Sequence, residues 1–342
     1  MDKPVGKISR TAWMDAPETL KLMAALCGAA DDTGDEARFV GGCVRDAVLN
    51  VKSFDIDIAT AHLPDEVIRR LKAHKIKAVP TGIEHGTVTA VVDDKIFEIT
   101  TLRRDVKTDG RHAEVAFTNK WHEDAARRDF TFNALYSNIK GEIYDYFGGL
   151  QDAREGAIRF IRDPDSRIQE DYLRILRFYR FAARFARLDH IDPKAREACR
   201  RHAASLENIS AERIQSEIIK LLTAKHAADV WHMMLEDGII AVILPQAMNI
   251  DNFRNLINLE IGLECESDPV RHLAALIGFD TKAAASTASA LKLSNHDKKK
   301  LADYAQEKHE YLLTADTKEI RKAVYLHGAD YVRSALLLTA DI

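Results

Sequence analysis

Two aspartates one residue apart, Asp55 and Asp57, stand in the run FDIDIAT. Side chains alternate along an extended chain, so the two carboxylates share one face while Ile56 and Ile58 take the other. Like charges this close repel unless a cation sits between them. Carboxylate oxygens in this arrangement suit Mg2+, which takes one or two protein carboxylates and completes its shell with water and phosphate oxygens. Upstream lies Gly41-Gly42, followed by Arg45 and Asp46. Glycines let the backbone turn tightly and approach a ligand closely. A helix starting there points unpaired N–H groups and a partial positive charge at the turn. Arg45, in its first turn, meets that charge unfavourably, and a bound anion such as a triphosphate would relieve the conflict.

The elements that must hold these groups follow from the flanking pattern. Phe39-Val40 reads as a strand, Val44 to Leu49 as a helix, and the aspartates sit on a second strand. Pro64 to His74 has helical spacing with Asp65 and Glu66 in its first turn. Gly86 to Val92 and Lys95 to Thr101 alternate around Asp93-Asp94 as a hairpin. In its second strand Glu98 shares a face with Ile96 and Thr100, which makes it either a third metal ligand, a base, or an outward-facing strand residue. The polar stretch Arg103 to Phe117, broken at Asp109-Gly110, reads as a loop. Glu123 to Tyr136 reads as one helix, with Arg127 and Arg128 adjoining Asp129 and with Asn133 one turn on. Ile143 to Phe147 and Ile158 to Ile161 look like a last strand pair around Gly148-Gly149. Beyond Asp163 strand signals fade, Pro164, Pro193 and Pro245 punctuate a helical chain, and no internal repeat appears.

A second chemical stretch is Ile168 to Arg187, IQEDYLRILRFYRFAARFAR. Read as one amphipathic helix, it buries Leu173, Leu176, Phe178, Tyr179 and Phe181. Asp171, Arg174 and Arg177 then recur at i, i+3 and i+6 along one face, with Arg180, Arg184 and Arg187 as a basic rim. Cytosine and adenine each offer an exocyclic NH2 donor beside a ring-nitrogen acceptor on their pairing edges. A carboxylate such as Asp171 accepts from the first, and an arginine such as Arg174 donates to the second. Uracil and guanine present the reverse and leave buried groups unpaired, which is where large discrimination arises.

GGCVRD followed by DIDIAT resembles the head-domain motif of the DNA polymerase β nucleotidyltransferase superfamily. RRDFTFNAL, EDYLRILRFYRFAARF and SAERIQSEIIKLL extend the likeness to the class II tRNA nucleotidyltransferases and bacterial poly(A) polymerases, over about residues 38 to 225. The resemblance implies an α+β chain: an α/β catalytic head over about residues 1–155, a helical neck over 156–225 that recognises the base, and a helical body and tail over 226–342 that binds tRNA. It implies template-independent addition of C, C and A to tRNA 3′ ends from CTP and ATP, with pyrophosphate released. Asp55 and Asp57 would hold Mg2+, Gly42, Arg45 and Arg128 the phosphates with Asp129 orienting the arginine, and Asp171, Arg174, Arg177 and Arg180 the base and triphosphate. In that family FEITTLR followed by DGRHAEV marks a loop that influences which base is added. Rival readings are a poly(A) polymerase, an enzyme adding only CC or only A, and a catalytically silent RNA-binding protein. Against the first, the aspartate run is VKSFDIDIAT and the C-terminal region is not strongly basic; against the last, both acidic motifs are intact.

Composition agrees. The 342 residues suffice for two or three cores. Net charge is −4, yet residues 154–201 hold thirteen Lys/Arg against eight Asp/Glu, enough for a basic groove on an acidic protein. Four scattered cysteines without C-x-x-C suggest a reducing compartment, hence a cytoplasmic protein, and neither a disulfide framework nor a zinc site. No apolar run approaches the ~20 residues needed to cross a bilayer, and oligomeric state leaves no trace in the sequence. His296-Asp297 lacks a second His/Asp pair at metal-binding spacing, so Ser294 or Asn295 reads better as a helix cap there.

Overall fold

A computed structural model describes residues 2–9, 11–28, 36–53, 55–109, 112–306 and 310–340. The chain forms two compact units: Met1–Asp171 with Ala186–Ala195, and Tyr172–Phe185 with Arg196–Ile342.

The first unit is α/β. In chain order it runs β1 (Gly6–Lys7), α1 (Pro17–Cys27), β2 (Ala37–Val40), α2 (Gly42–Val48), β3 (Asp57–Thr60), α3 (Pro64–Ala73), β4 (Lys77–Gly82), β5 (Thr87–Val92) and β6 (Lys95–Thr101). It continues with β7 (Arg103–Asp109), β8 (His112–Phe117), α4 (Trp121–Ala126), β9 (Leu135–Ser137), β10 (Glu142–Asp145), α5 (Gly149–Glu155) and α6 (Pro164–Glu170). Eight strands make one mixed sheet in the order β1-β10-β9-β2-β3-β6-β5-β4, while β7 and β8 pair with each other. Within the large sheet β3 and β6 run parallel, which requires the crossover that α3 supplies. Alternation sorts the strand residues onto two cores. Phe39, Ile58, Phe97 and Ile99 face α1 and α3 through Leu22, Leu26, Val67 and Leu71. Val40, Ala59 and Tyr136 face α4 through Trp121 and Ala125.

The hairpin β5–β6 turns at Asp93-Asp94, both with positive φ (45° and 67°), the backbone a two-residue hairpin turn demands. Three expectations are corrected. The stretch expected as a loop holds a two-stranded ladder of β7 and β8: the sequence HAEVAF alternates at Ala113, Val115 and Phe117, and the surrounding charges masked it. Gly110, the expected break, lies outside the described residues. The helix expected over Glu123–Tyr136 ends at Ala126, gives way to a 3-10 turn at Thr131–Asn133, and enters β9; Phe130, Phe132 and Leu135 are buried in strand-and-turn geometry that helical spacing cannot serve. Of the strand pair expected around Gly148-Gly149, the first forms as β10 but pairs with β9 and β1, the helix α5 follows it, and Ile158–Ile161 makes only isolated bridges, Phe160 with Phe130 and Ile158 with Ile191.

In the second unit the regular elements among the described residues are all helical: α7 (Leu173–Phe185), α8 (Pro193–Arg201) from Arg196 on, α9 (Ala211–Leu222), α10 (Ala227–Glu236) and further helices to Ala329–Thr339. The helix expected over Ile168–Arg187 is interrupted. Residue Asp171 has φ −159° and ψ 106°, an extended backbone that closes α6, and α7 begins two residues later. Ser294 caps its helix by accepting from the Asp297 amide, as expected. Among the described residues no helix is long and apolar enough to cross a membrane.

Candidate active site

The site grows from the β2–α2 turn. Gly41 has φ 70° and ψ −121°, a backbone that side chains rarely adopt. A Cβ there would stand 3.5 Å from Arg128 Nη1 and 3.6 Å from the Asn133 carbonyl, so the turn and the arginine are close neighbours. Arg45 on α2 is buried. Its Nε and Nη2 donate to Asp46 Oδ1 at 2.8 and 2.6 Å, and its Nη1 to Asn133 Oδ1 at 2.7 Å. Asp46 therefore relieves the dipole conflict that an anion was expected to relieve. The guanidinium ties the glycine turn to the 3-10 turn, where Asn133 Nδ2 donates to Asp129 Oδ1 at 3.1 Å.

Asp57 begins β3, and the parallel register sets its Cα opposite that of Glu98 on β6. Glu98 is exposed, as is Asp55, which precedes the strand by two residues. Burial pushes the Asp57 carboxyl above the usual range; the charges of Glu98 and Asp55 push it further, and that of Arg128 partly offsets them. Three carboxylates with one arginine as counter-charge form an anionic corner that wants a cation. Among the described residues no three His, Cys, Asp or Glu side chains are grouped to hold a metal by themselves. Two carboxylates fit a Mg2+ whose remaining ligands come from water and a ligand's phosphates. Cys43 offers no nucleophile here, since burial pushes its thiol up to about 12.

Arg128 is held by a residue that the sequence reading missed. Asp124, on α4, is buried and takes Arg128 Nη2 at 3.1 Å and Nε at 3.3 Å on Oδ2, together with the Tyr136 hydroxyl at 2.7 Å. Its Oδ1 takes Arg127 Nε and Nη2 at 2.9 and 2.7 Å and the Arg103 amide at 3.3 Å. Burial alone would raise this carboxyl, but the charges of Arg128 and Arg127 and the tyrosine hydrogen bond hold it well below the usual carboxylate range. One carboxylate thus anchors both arginines and the root of the β7–β8 ladder. Arg167 of α6 adds a second clamp by donating to the carbonyls of Arg127 and Arg128. The spacing Asp124 to Arg127 and Arg128 (i+3, i+4) was the available signal; the adjacent Asp129 drew attention from it.

The proposed base-reading residues divide between the units. Asp171 ends the first; Arg174, Arg177 and Arg180 lie on α7 in the second. Buried Glu217 of α9 takes Arg180 Nε, with Arg177 Nη1 3.8 Å from its other oxygen. The Arg180 guanidinium stacks 4.0 Å over Phe181. On the opposite side of α7 the Tyr179 hydroxyl donates at 2.7 Å to Asp237, which also takes Arg196 and Arg200. Within the row, Arg177 and Arg180 are thus paired to Glu217 on the neighbouring helix α9.

Known proteins resemble this chain in sequence and in fold. Residues 37–159 match the family model described as "Poly A polymerase head domain", and 190–250 that of the "Probable RNA and SrmB- binding site of polymerase A". The CCA tRNA nucleotidyltransferase 1, mitochondrial, of Danio rerio is 42% identical over 206 residues, which is 60% of this chain and 48% of that protein. A CCA-adding enzyme of Lactobacillus delbrueckii subsp. bulgaricus is 35% identical over 267 residues, 78% of this chain and 66% of that one. The match thus spans about half the length of the fish relative. The solved structure of the Bacillus stearothermophilus CCA-adding enzyme in complex with CTP superposes with a TM-score of 0.74 at 28% identity, covering 94% of this chain and 77% of that one. With both family models matched in order, and with relatives and a solved structure that agree, the chain belongs to the tRNA nucleotidyltransferase and poly(A) polymerase family.

Proposed function

We propose that the protein adds C, C and A to the 3′ ends of tRNA without a nucleic-acid template, using CTP and ATP and releasing pyrophosphate. The observation that carries this reading is the anionic corner of Asp57, Asp55 and Glu98 set beside the Gly41-Gly42 turn and Arg128. Phosphates of an incoming nucleotide lie against Gly42 and Arg128, with Arg45 holding the turn in shape. Bound at Asp55 and Asp57, Mg2+ would lower the pKa of the attacking hydroxyl and neutralise developing charge on the phosphates. The 3′ oxygen of the RNA attacks the α-phosphorus; a phosphodiester bond forms, the bond to the bridging oxygen breaks, and pyrophosphate leaves. Glu98 lies where it adds negative charge to the metal site or accepts the hydroxyl proton.

Base choice falls to Asp171 and to Arg174, Arg177 and Arg180, whose donor and acceptor pattern complements cytosine and adenine and mismatches uracil and guanine. The Bacillus stearothermophilus relative is solved in complex with CTP and a Thermotoga maritima CCA-adding enzyme with tRNA_CCA, a nucleotide substrate and the finished product of this reading. The domain roles follow suit: catalytic head over about 1–155, neck over 156–225, tRNA-binding body and tail over 226–342. Four free cysteines, three of them buried, suit a reducing compartment such as the cytoplasm.

Incubating the protein and Mg2+ with tRNA lacking CCA, and with each nucleoside triphosphate singly and together, tests the proposal. Full function gives two C additions with CTP alone and completion with ATP. Long A tracts would identify a poly(A) polymerase, and no extension at all would overturn the enzymatic reading.

A further inference from the structure

The first unit also carries a cleft of about 350 Å3 lined by Thr131, Phe147, Gly148, Gln151, Arg159 and Arg162 among others. That volume lies at the lower end of the ~300–1,000 Å3 of small-ligand sites, room for one nucleotide. Three features of its wall need a reason. Arg162 holds a left-handed backbone (φ 65°), uncommon for an arginine and costly unless something is gained. Its exposed guanidinium has no ion-pair partner among the described residues. Arg159 is half-exposed, yet buried Asp152 fixes it, and Asp152 is itself held by the Thr131 hydroxyl. Phe147, partly exposed, leans on His122 with ring centroids 5.1 Å apart. The amides of Phe147, Gly149 and Leu150 are already bonded to Asp145, so any attraction for an anion comes from the arginines. A second cleft, of about 360 Å3, is also lined by Arg159, together with His190.

An aromatic face beside two arginines is how proteins hold a single-stranded nucleotide: the ring stacks on the base and the guanidinium groups take the phosphate. We infer that this cleft is an accessory subsite for one nucleotide of a single-stranded RNA segment, with Arg162 and Arg159 on its phosphate and Phe147 on its base. The inference rests on the RNA-directed reading above and names a place on the first unit where the strand is gripped. A strand is preferred to a free nucleotide because two arginines, one of them already paired, match a single phosphodiester charge better than a triphosphate.

The test uses the whole protein, a labelled single-stranded RNA of a dozen nucleotides, tRNA lacking CCA, and ATP alone. Arg162→Gly is the informative variant, because glycine adopts the left-handed backbone freely. It should melt no lower than wild type while binding both RNAs about fivefold more weakly at 0.1 M salt, with the salt slope reduced by about 0.7, one single-strand phosphate contact. Phe147→Leu should weaken the short RNA by at least about fivefold with its salt slope unchanged, the mark of lost stacking. ATP alone should bind Arg162→Gly as it binds wild type. RNA affinity and slope unchanged in a folded Arg162→Gly would overturn the inference, and so would loss of ATP binding, which would make the cleft a free-nucleotide site. Its failure is separable from that of the function: a wild type that extends tRNA beside indifferent Arg162 variants sinks only the cleft, while Arg162-dependent RNA binding without extension sinks only the enzyme.

Discussion

Asp124→Asn is the substitution that the geometry judges most sharply. The change keeps size and shape but removes the charge that faces two guanidinium groups, and it turns one acceptor oxygen into an NH2 donor. Whichever way the amide settles, that NH2 faces donors: Arg128 and the Tyr136 hydroxyl on one side, or Arg127 and the Arg103 amide on the other. The side chains of Arg127 and Arg128 are only 16% and 20% exposed, so water replaces little of the loss. Removing one member of a buried pair costs roughly 3–5 kcal/mol, and a denaturant titration should show a loss in this range. Because the native pairing holds the Asp124 carboxyl below its ordinary range, its stabilisation is present above the unfolded carboxylate pKa near 4 and fades only as pH falls through the depressed value. The gap between wild type and variant should therefore be flat over about pH 6 to 8.

Catalysis separates this positioning role from bulk stability. On the proposed role of Arg128, an unanchored guanidinium would meet the triphosphate less often and in poorer geometry, and a charge-assisted hydrogen bond is worth roughly 1.5–3 kcal/mol. Single-turnover addition to tRNA ending in C should therefore lose about ten- to a hundredfold in kcat/KM for ATP, mostly through KM. Tyr136→Phe, which removes the hydroxyl that donates to Asp124 and accepts from Arg128 Nε but leaves the Asp124–Arg128 ion pair in place, should lose less than Asp124→Asn does. A folded Asp124→Asn protein with kcat and KM within twofold of wild type would refute the claim that this carboxylate holds the phosphate arginine.

Other perturbations reach the remaining parts. Asp57→Asn should abolish addition yet raise the melting temperature of metal-free protein, because burial and the charges of Glu98 and Asp55 work against the carboxylate; Mg2+ should then stabilise wild type and leave the variant's melting unchanged. Equal Mg2+ shifts in both proteins would place the metal elsewhere. Gly149→Ala would drive a Cβ to 2.1 Å from the Thr131 carbonyl oxygen, so the 3-10 turn bearing Asn133 must move, at about 1–3 kcal/mol or more, with nucleotide addition falling alongside; an alanine variant as stable as wild type contradicts that packing. Asp171→Ala, if this residue reads the pairing edge, should raise UTP and GTP use relative to CTP and ATP by about ten- to a hundredfold; unchanged ratios in folded Asp171→Ala and Arg174→Ala proteins would mean that the base is read elsewhere.

Legibility from sequence tracked how local the cause was. Strand, turn and helix leading to Asp57 were readable because glycine φ, strand alternation and a helix start are each decided within a few residues; Asp55, expected on the same strand, precedes it. The 3-10 turn at Thr131–Asn133 was not, because Phe130 stacks on Phe132 and packs against Phe160, contacts that override helical spacing from a distance. Asp124 went unseen for a related reason: α4 is short, and what singles out its aspartate is the Tyr136 hydroxyl arriving from β9 and the Arg103 amide from β7.

The break at Asp171 shows the limit of periodicity most plainly. Spacing of i, i+3 and i+6 identified three polar residues that a continuous helix would align, but periodicity carries no information on whether the chain is continuous. The Asp163 cap with Pro164 already begins one helix there, and after α6 the Asp171 backbone is extended before α7 starts. An aspartate at an extended junction keeps its carboxylate outside the helical hydrogen-bond ladder, and its direction is set by two backbone dihedrals in place of a helix face. On the proposed role of Asp171, base selection would depend on the backbone at that residue as well as on its identity, and a substitution that lets the helix run through should disturb base choice with Asp171 and Arg174 both intact.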